Sequence, residues 1–494
     1  MALTSLLFLI LLLGTAIMYY CLPCKIRWIA ILIADAFFLY KCNSLLENAI
    51  WLAEAAIVYG VAYAVATSAG ETVRKALTYV TVIILATTLI LLKESTFFGI
   101  KDIGVAPIGI SYYTLSWITY ICGAYWKTGE VQKNPLKFLA FAGFFPILAS
   151  GPIVKYEDFG REVSGGVKLS LDNITNGAAR IAWGFMKKLV IADRIATFIN
   201  TVYDNPYMYP GLFIWVANAF FIIQLYADFS GCIDIALGAG EMFGFKLPEN
   251  FNLPFLSQTL EEFWRRWHIT LGGWLRDYVL YPILKSGLWQ RLTAGTKKRF
   301  GKKYGKKIPT WIGLMISWFL VGFWHGGSFN YIFGVGILFG IIIILGDALS
   351  PIFDKINKAL RINTEAFSWK IFRVLRTWLF FGTGLSFFRA GGLRVGFRNL
   401  GLSVSVWNPW IFFDGSLWEM GLDRTEFSII LFFGTVVIIA GILRAVTGKS
   451  VRELLKSQNM LFRWLLYAGL VYSVIIYGCY GSGFSSAAFI YQGF

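Results

Sequence analysis

The chain has 494 residues, of which 57% are hydrophobic and only 15% are charged, and its mean hydropathy is +0.62. Soluble domains are typically about 45–50% apolar and about 25% charged, so this composition excludes an ordinary soluble protein and predicts an integral membrane protein. The formal net charge of +17 makes the location of the basic residues informative.

Long apolar runs occur along the whole chain. They favour helices, because a β-barrel would show alternating segments of about ten residues, whereas a spanning helix needs about 20 mostly apolar residues. With weaker runs included, the predicted fold class is an all-α polytopic membrane protein with about 11–13 membrane helices, some short, broken or re-entrant. We expect residues 1–494 to form one integral-membrane domain. The clearest runs are Leu6–Tyr20, Ala49–Ala66, Ala76–Leu92, Trp311–Trp324, Phe329–Leu345, Ile429–Leu443 and Leu461–Tyr480.

The first apolar run is not expected to be a cleaved signal peptide, because no Lys or Arg precedes it and no Ala-x-Ala site follows it. Lys25 and Arg27 come directly after it, so the positive-inside rule predicts an N-terminus on the outer side. Cys21 and Cys24 have a Cys-x-x-Cys spacing, but no second Cys/His pair accompanies them. We therefore expect neither a metal site nor a required disulfide.

Proline and glycine interrupt the apolar segment Phe141–Phe159 at Pro146 and at Gly151-Pro152. A helix broken at membrane depth needs protein or a water-filled cavity to satisfy its backbone. This segment is thus either a re-entrant element or an ordinary end at the membrane interface.

Polar residues also lie in the next apolar segment, Phe220–Phe255, where Gln224, Asp228, Ser230 and Asp234 stand close together. Ionisable groups inside a bilayer usually face a cavity or a partner. The two aspartates are six residues apart and do not share one helix face, which disfavours a paired-carboxylate site. We expect them to pair with arginines further along the chain.

The segment Ser257–Ile283 has the period of one amphipathic helix that lies in, or dips into, the membrane. Ser257 or Thr259 can cap its start. Glu262 and Arg266 form an i,i+4 pair, and Asp277 lies three turns further on, as a second partner for Arg266. Arg265 and Arg276 complete the predicted structural charge network.

A strongly basic connection follows at residues 285–307, which hold nine Lys or Arg and no acidic residue. This pattern could indicate nucleic-acid binding. It is more typical of a cytoplasmic loop that obeys the positive-inside rule and contacts anionic lipid. Such a loop would also attract an acidic cytosolic acyl donor.

The chain has only two histidines, His268 in "RRWHITLGGW" and His325 in "FWHGGS". Each could be a buried structural residue. Gly326 and Gly327, however, permit a sharp stop and the close approach of a ligand. Histidine exchanges protons near neutral pH, and no G-x-S-x-G motif points to a hydrolase. These features favour direct attack of a bound hydroxyl on an activated acyl group, with His325 as the base.

At these residues the chain resembles the membrane-bound O-acyltransferase (MBOAT) family, in its bacterial alginate O-acetylase and D-alanyl-teichoic-acid branch. The blocks around the two histidines together are specific, whereas each alone would be weak. The resemblance rests on "PIGISYYTLSWITYICGAYW" (107–126), "FFPILASGPI" (144–153), "QLYADFSGCIDIALG" (224–238), "PENFNLPFLSQTLEEFWRRWHITLGGWLRDYVLYPI" (248–283), "GFWHGGSFNYIFG" (322–334), "FFRA" (387–390), "GLDRTEF" (421–427) and "FIYQGF" (489–494).

The resemblance implies a central funnel in which His325 is catalytic and His268 is the second functional histidine. It implies an acyl thioester co-substrate, either acetyl-CoA or an acyl-carrier protein, with no permanently bound cofactor and no metal. It also implies an extracytoplasmic partner of the SGNH type and a bacterial inner-membrane location. A role for Tyr491 is doubtful, because the final motif departs from the family pattern. The expected tunnel-lining residues are Trp324, Gly326, Trp264, Trp267, Tyr226, Asp228 and Ser230.

Three functions remain in competition at this point. The first is acyl transfer, by default of acetyl to an envelope polysaccharide, with D-alanyl transfer to teichoic acid as its rival. The second is a transporter or flippase for an envelope precursor, which would share broken helices and buried charges. The third is a scaffold without catalytic activity.

Overall fold

The structure, a computed structural model, describes residues 1–68, 70–101 and 103–480. The final block and Tyr491 lie outside these residues. Within them the chain is helical and forms no strand, with one isolated antiparallel bridge between Phe251 and Trp267. The predicted all-α class is therefore confirmed.

The described helices are numbered α1 to α22 in chain order. The first eleven are α1 Leu6–Cys21, α2 Trp28–Cys42, α3 Leu45–Thr67, α4 Glu71–Lys93, α5 Ile110–Trp126, α6 Pro135–Ala142, α7 Phe145–Leu148, α8 Tyr156–Gly165, α9 Leu171–Phe185, α10 Asp193–Asp204 and α11 Leu212–Met242. The others are α12 Leu260–Arg266, α13 Ile269–Leu275, α14 Tyr281–Lys285, α15 Gly287–Trp324, α16 Phe329–Tyr331, α17 Leu338–Ala359, α18 Phe367–Arg389, α19 Leu393–Ser405, α20 Arg424–Thr447, α21 Val451–Lys456 and α22 Met460–Tyr477. Wider π turns occupy Met186–Ala192, Arg276–Leu280 and Ile332–Ile337.

Seven helical segments of the described chain are long and apolar enough to cross a membrane, and α1 is a shorter apolar helix. The sequence-based number of 11–13 also counted short and interrupted segments. The seven are Leu45–Thr67, Glu71–Lys93, Leu212–Met242, Gly287–Trp324, Phe329–Ala359, Arg424–Thr447 and Met460–Tyr477. The protein is thus a multi-pass membrane protein.

The helices divide into two compact units. Unit 1 comprises the described residues of Met1–Arg194, Leu225–Glu249 and 429–480, and unit 2 comprises Ile195–Gln224 and Asn250–Ser428. Helix α11 contributes its first part to unit 2 and the remainder to unit 1.

In unit 1, a stripe of glycines joins α9 to α11. A Cβ on Gly177 would lie 2.5 Å from the carbonyl oxygen of Gly238, and one on Gly184 would lie 2.6 Å from that of Gly231. The two glycines of each helix are seven residues apart and so lie on one face. Small residues allow membrane helices to pack backbone to backbone. This close approach brings the residues that follow α9 next to the polar part of α11.

In unit 2, the basic segment 285–307 is helical rather than an irregular loop. Helix α15 folds back on itself at Gly301, whose φ is 76°. The Trp289 indole donates to the carbonyl oxygen of Pro309 at 2.9 Å, and the Thr296 hydroxyl donates to that of Gly305 at 2.6 Å. We call the folded part, residues 287–309, the basic hairpin. Its prediction as a loop failed because the lysines and arginines that mark it as cytoplasmic are also good helix formers.

The basic hairpin and His325 lie at opposite ends of the apolar limb of α15. His325 follows Lys307 by 18 residues, which corresponds to about 27 Å of helix. The returning helix α17 is tied to the basic end, where Asp347 accepts from Lys307 at 2.6 Å and from Trp311 at 2.9 Å. At the other end, the Asn330 amide donates to the carbonyl oxygen of Ala390 at 2.9 Å, which fixes the end of α18 beside the turn after His325.

We expect Gly231→Val to separate α9 from α11. It should lower the melting temperature in detergent by roughly 5 °C or more, because side-chain atoms would displace a packed backbone. Gly434→Val is the matched control, since a Cβ at Gly434 in α20 has no described atom within 4 Å. Equal melting temperatures for the two variants would contradict the packing described for the glycine stripe.

Candidate active site

His268 lies at a break between α12 and α13. Its φ of 47° is left-handed, which is uncommon for a residue other than glycine. Thr259 caps α12 as predicted, since its side chain accepts from the backbone of Glu262 at 3.1 Å. The single amphipathic helix predicted for residues 257–283 is wrong, because that segment holds α12, α13, a π turn and α14.

A buried asparagine satisfies the backbone groups that this break releases. The carbonyl oxygen of Asn250 accepts from the backbone of Ile269 at 3.1 Å, and the side-chain oxygen accepts from the backbone of Thr270 at 2.9 Å. Asn252 donates to the carbonyl oxygen of Arg266 at 2.9 Å. These long-range contacts hold His268 in place, and no Gly or Pro marks the position in the sequence.

His325 caps the C-terminus of α15 and lies at a second break. Its backbone donates to the carbonyl oxygen of Val321 at 3.2 Å. Gly326 follows with a φ of 151°, and a Cβ there would lie 2.6 Å from the Tyr331 ring. Gly326 is therefore required for the sharp turn, as the sequence predicted. Ser328 is the N-cap residue of the next helix, and its hydroxyl contacts the Asn330 side chain at 2.6 Å.

One indole contacts both histidines. The ring centroid of Trp324 lies 5.0 Å from that of His325 and 5.7 Å from that of His268. The His325 ring also meets Phe388 at 5.9 Å. Both imidazoles are deeply buried, with His325 only 2% and His268 only 3% exposed. The structure thus brings the two predicted catalytic residues to the same tryptophan, in an environment shielded from bulk water.

Trp264 and Trp267 join an aromatic cluster beside this pair. The Trp267 ring lies 5.5 Å from that of Phe263 and 5.3 Å from that of Phe381. The Trp264 ring lies 5.1 Å from that of Phe339. Trp267 is almost fully buried. These contacts anchor α12 against α17 and α18, and the tunnel-lining role of the two tryptophans stays a prediction.

Burial also affects the protonation of His268, which lies outside the seven candidate spans. Desolvation lowers the pKa of His268 to about 3. The imidazole is therefore neutral near pH 7. In that form it can donate one hydrogen bond and accept another, which suits orientation of a hydroxyl better than storage of positive charge.

The predicted charge network on α12 forms only in part. Arg266 pairs with Glu262 at 2.7 Å, as expected for the i,i+4 spacing. The predicted pair of Arg266 with Asp277 is wrong, because Asp277 pairs with its neighbour Arg276 at 2.9 Å.

The fifth member of the predicted set, Arg265, pairs with Glu261 at 2.7 Å. Both side chains are about two-thirds exposed, and exposed pairs of this kind contribute little to stability. The charges on this element are therefore local and mostly superficial.

In unit 1, the polar residues of α11 belong to a buried charge cluster that the sequence did not reveal. Lys188 lies 2.6 Å from Asp228 and 2.9 Å from Asp193. Lys187 lies 2.6 Å from Asp234 and donates to the Ser230 hydroxyl at 2.7 Å.

The same cluster includes Arg180, which binds Asp234 at 2.9 Å and both carboxylate oxygens of Glu249 at 2.8 and 2.7 Å. The aromatic ring of Tyr226 lies 5.8 Å from the Lys187 ammonium. The prediction that Asp228 and Asp234 pair with the arginines of residues 265–276 is therefore wrong. The sequence did contain a signal for the true partners, because "FMKKLV" places two lysines in an apolar run.

Part of the chain matches a known protein family. Residues 130–294 match the model of MBOAT, the membrane-bound O-acyltransferase family. The matched segment contains His268 and the buried charge cluster, whereas His325 lies beyond its end.

Three relatives show which branch of the family is similar. The chain is 34% identical over 301 residues to a probable alginate O-acetylase, AlgI, of Pseudomonas syringae pv. tomato, which covers 60% of this chain and 52% of the relative. It is 29% identical over 350 residues to a peptidoglycan O-acetyltransferase of Helicobacter pylori, and the match covers 65% of this chain and 60% of that relative. It is 31% identical over 262 residues to a teichoic acid D-alanyltransferase of Bacillus subtilis, and the match covers 51% of this chain and 61% of that relative. The chain thus spans about half to three-fifths of the length of these relatives.

The lowered pKa of His268 predicts a pH-dependent stability. As the pH falls below 6.5, the unfolded chain binds a proton at this residue while the folded chain does not until about pH 3, so stability is lost on acidification. Wild type should therefore lose roughly 2 °C more in melting temperature between pH 7.5 and 5.5 than His268→Gln. Parallel melting curves for the two proteins in detergent would contradict a neutral, buried His268.

Proposed function

We propose that this protein is an O-acyltransferase that moves an acyl group, by default acetyl, from a cytosolic thioester to a hydroxyl of a cell-envelope polysaccharide or of a partner protein. The observation that carries the proposal is the position of His325. This imidazole lies at a helix break, is buried, and shares Trp324 with the second histidine. A buried base positioned by packed aromatic rings suits proton transfer in a dry site.

The reaction needs only one base and no covalent enzyme intermediate. His325 accepts the proton of the acceptor hydroxyl as its oxygen attacks the thioester carbonyl. The tetrahedral intermediate collapses, the C–S bond breaks, and the thiolate leaves with the proton from the imidazolium. His268, neutral because of its burial, orients the acceptor or the oxyanion through a hydrogen bond.

The donor would approach from the side of the basic hairpin. Its eight basic residues attract a polyanion such as the phosphates of coenzyme A or an acidic acyl-carrier protein. The helix from Lys307 to His325 measures about 27 Å, close to the ~30 Å hydrocarbon core, so the acyl group must be delivered by a long arm through most of the bilayer. The acceptor hydroxyl then meets it near the opposite face.

The proposal extends to the cellular setting. We infer a location in the bacterial inner membrane, no permanently bound cofactor, no metal and no nucleic-acid partner. The relatives named for alginate and peptidoglycan support an acceptor in the envelope. Because the acyl group must finally be passed to a polymer outside the membrane, we also propose an extracytoplasmic or membrane-anchored partner protein of the SGNH type.

D-alanyl transfer is the second candidate, favoured by the 31% identity to a teichoic acid D-alanyltransferase. The same base would serve, since only the acyl group and its carrier differ. The donor supplied in the assay therefore distinguishes the two candidates.

We expect His325→Ala to lower acyl transfer by about 10²–10⁴-fold, the usual contribution of a general base. The full chain in proteoliposomes would receive radiolabelled acetyl-CoA or D-alanyl carrier protein on the side of the basic hairpin. Label in a polysaccharide acceptor and release of the thiol would both be measured.

Phe319→Leu is the control, because Phe319 lies on the same helix and its side chain is exposed. Insertion and the gel-filtration profile should be unchanged in both variants. Normal transfer by His325→Ala would contradict the proposal, and precursor transport without any acyl transfer by the wild type would favour a transporter.

A further inference from the structure

A small pocket of about 10 Å³, enough for one water-sized group, lies beside a wider cleft in unit 2, at the junction of α11, α18 and α19. The cleft has a volume of about 440 Å³, within the roughly 300–1,000 Å³ of small-ligand sites. Trp215 and Ser403 line both the pocket and the cleft, and Trp407 lines the cleft at its exposed edge. The two spaces are thus neighbouring parts of one candidate site.

The walls of this site are held rigidly by the backbone. The Trp215 indole donates to the carbonyl oxygen of Ser403 at 3.0 Å. The Asn408 side chain accepts from the backbone of Leu212 at 2.8 Å, and Gly211 donates to the carbonyl oxygen of Leu402 at 3.0 Å. A preformed site loses little entropy when a ligand binds.

Two buried amides line the pocket. Asn399 is 1% exposed and Asn218 is 7% exposed. The Asn218 nitrogen donates to the carbonyl oxygen of Gly382 at 3.0 Å, which orients its oxygen. Among the described residues, neither side-chain oxygen has a hydrogen-bond partner. Burial of an unpaired amide costs free energy, so these two asparagines are expected to serve a ligand.

The hydroxyls of the pocket add further acceptors. Ser386 donates to the carbonyl oxygen of Gly382 at 3.2 Å, and Ser403 to that of Leu400 at 2.8 Å. Thr383 likewise donates to a carbonyl of its own helix. The hydroxyl protons of Thr383 and Ser403 are therefore used and their lone pairs remain for a donor, whereas the Ser386 hydroxyl also interacts with that of Tyr203. The pocket is rich in acceptors and suits a ligand that brings O–H groups.

The cleft supplies the apolar part of the recognition. Trp407 is 75% exposed, and Trp215 is 37% exposed. An exposed tryptophan alone is typical of a membrane interface. Next to buried acceptors, however, an indole face can pack against the C–H face of a sugar ring while one hydroxyl of the ring enters the pocket. The residues that line the pocket and the cleft, all within the described chain, include no charged side chain.

The site lies at the same end of unit 2 as His325. The end of α18 is fixed beside the turn after His325 by the Asn330 amide, and the basic hairpin lies at the far end of α15. By the positive-inside rule, the cleft opens on the extracytoplasmic side.

We propose that this cleft binds a sugar ring of the acceptor polysaccharide. The role as acceptor subsite rests on the proposed acyl transfer, whereas the binding of a sugar does not.

The test measures binding of cellotetraose, chitotetraose and tetragalacturonate to the full chain in phosphatidylcholine nanodiscs, by saturation-transfer NMR. We expect at least one tetrasaccharide to bind, and Asn399→Leu and Trp407→Ala to weaken that binding at least tenfold. Ser405→Ala is the control, because Ser405 lies on α19 and its hydroxyl points back to Leu402. No binding of any probe to the wild type, or equal binding by Asn399→Leu, would overturn the proposal.

A stability measurement separates a ligand-binding role from a structural one. Asn399→Leu should keep or raise the melting temperature, since it removes an unpaired buried oxygen. A fall of more than a few degrees would show that the amide holds the fold and would overturn the proposal. His325→Ala should bind the tetrasaccharide like the wild type. Sugar binding can therefore be judged even if the proposed acyl transfer is found to be wrong.

Discussion

The arrangement of this protein depends on the requirement that peptide groups shielded from water find hydrogen-bond partners within the chain. A continuous helix meets this requirement alone, but a broken helix does not. Both histidines lie at breaks, and a specific residue accommodates the backbone at each break. Asn250 binds the backbone released beside His268, and Gly326 allows the turn after His325 to close against the Tyr331 ring. The two imidazoles are thus placed by the same constraint that shapes the fold.

The two units manage buried polarity in different ways. In unit 1, the glycine stripe allows α9 and α11 to approach, and Lys187 and Lys188 neutralise the two aspartates of α11. Buried ion pairs are costly to assemble but strongly destabilising when one partner is removed, so this cluster fixes the register of the helices. In unit 2, the two histidines near Trp324 are enclosed by aromatic rings. That environment suits proton transfer, because hydrogen bonds are stronger where water is excluded.

Much of this could be predicted from local sequence patterns. Hydropathy identified an all-α membrane protein, Thr259 was one of two predicted caps, and the i,i+4 spacing identified Glu262 and Arg266 as a pair. The break at His268 could not be predicted, because its cause is a contact with Asn250, 18 residues away in the chain. The partners of Asp228 were missed for the same reason, since Lys188 is 40 residues distant. Local propensity reveals helices, but contacts between distant segments decide where they stop and which charges meet.

The proposed reaction requires that a buried imidazole receive an acyl group from one side of the membrane and a hydroxyl from the other. A structure of the full chain in nanodiscs with acetonyl-CoA, a ketone analogue of the thioester, tests this most directly. We expect the ketone carbon to lie beside His325, close enough for a hydroxyl oxygen to fit about 3 Å from both groups. An analogue bound elsewhere, with the His325 ring still enclosed between Trp324 and Phe388, would contradict it.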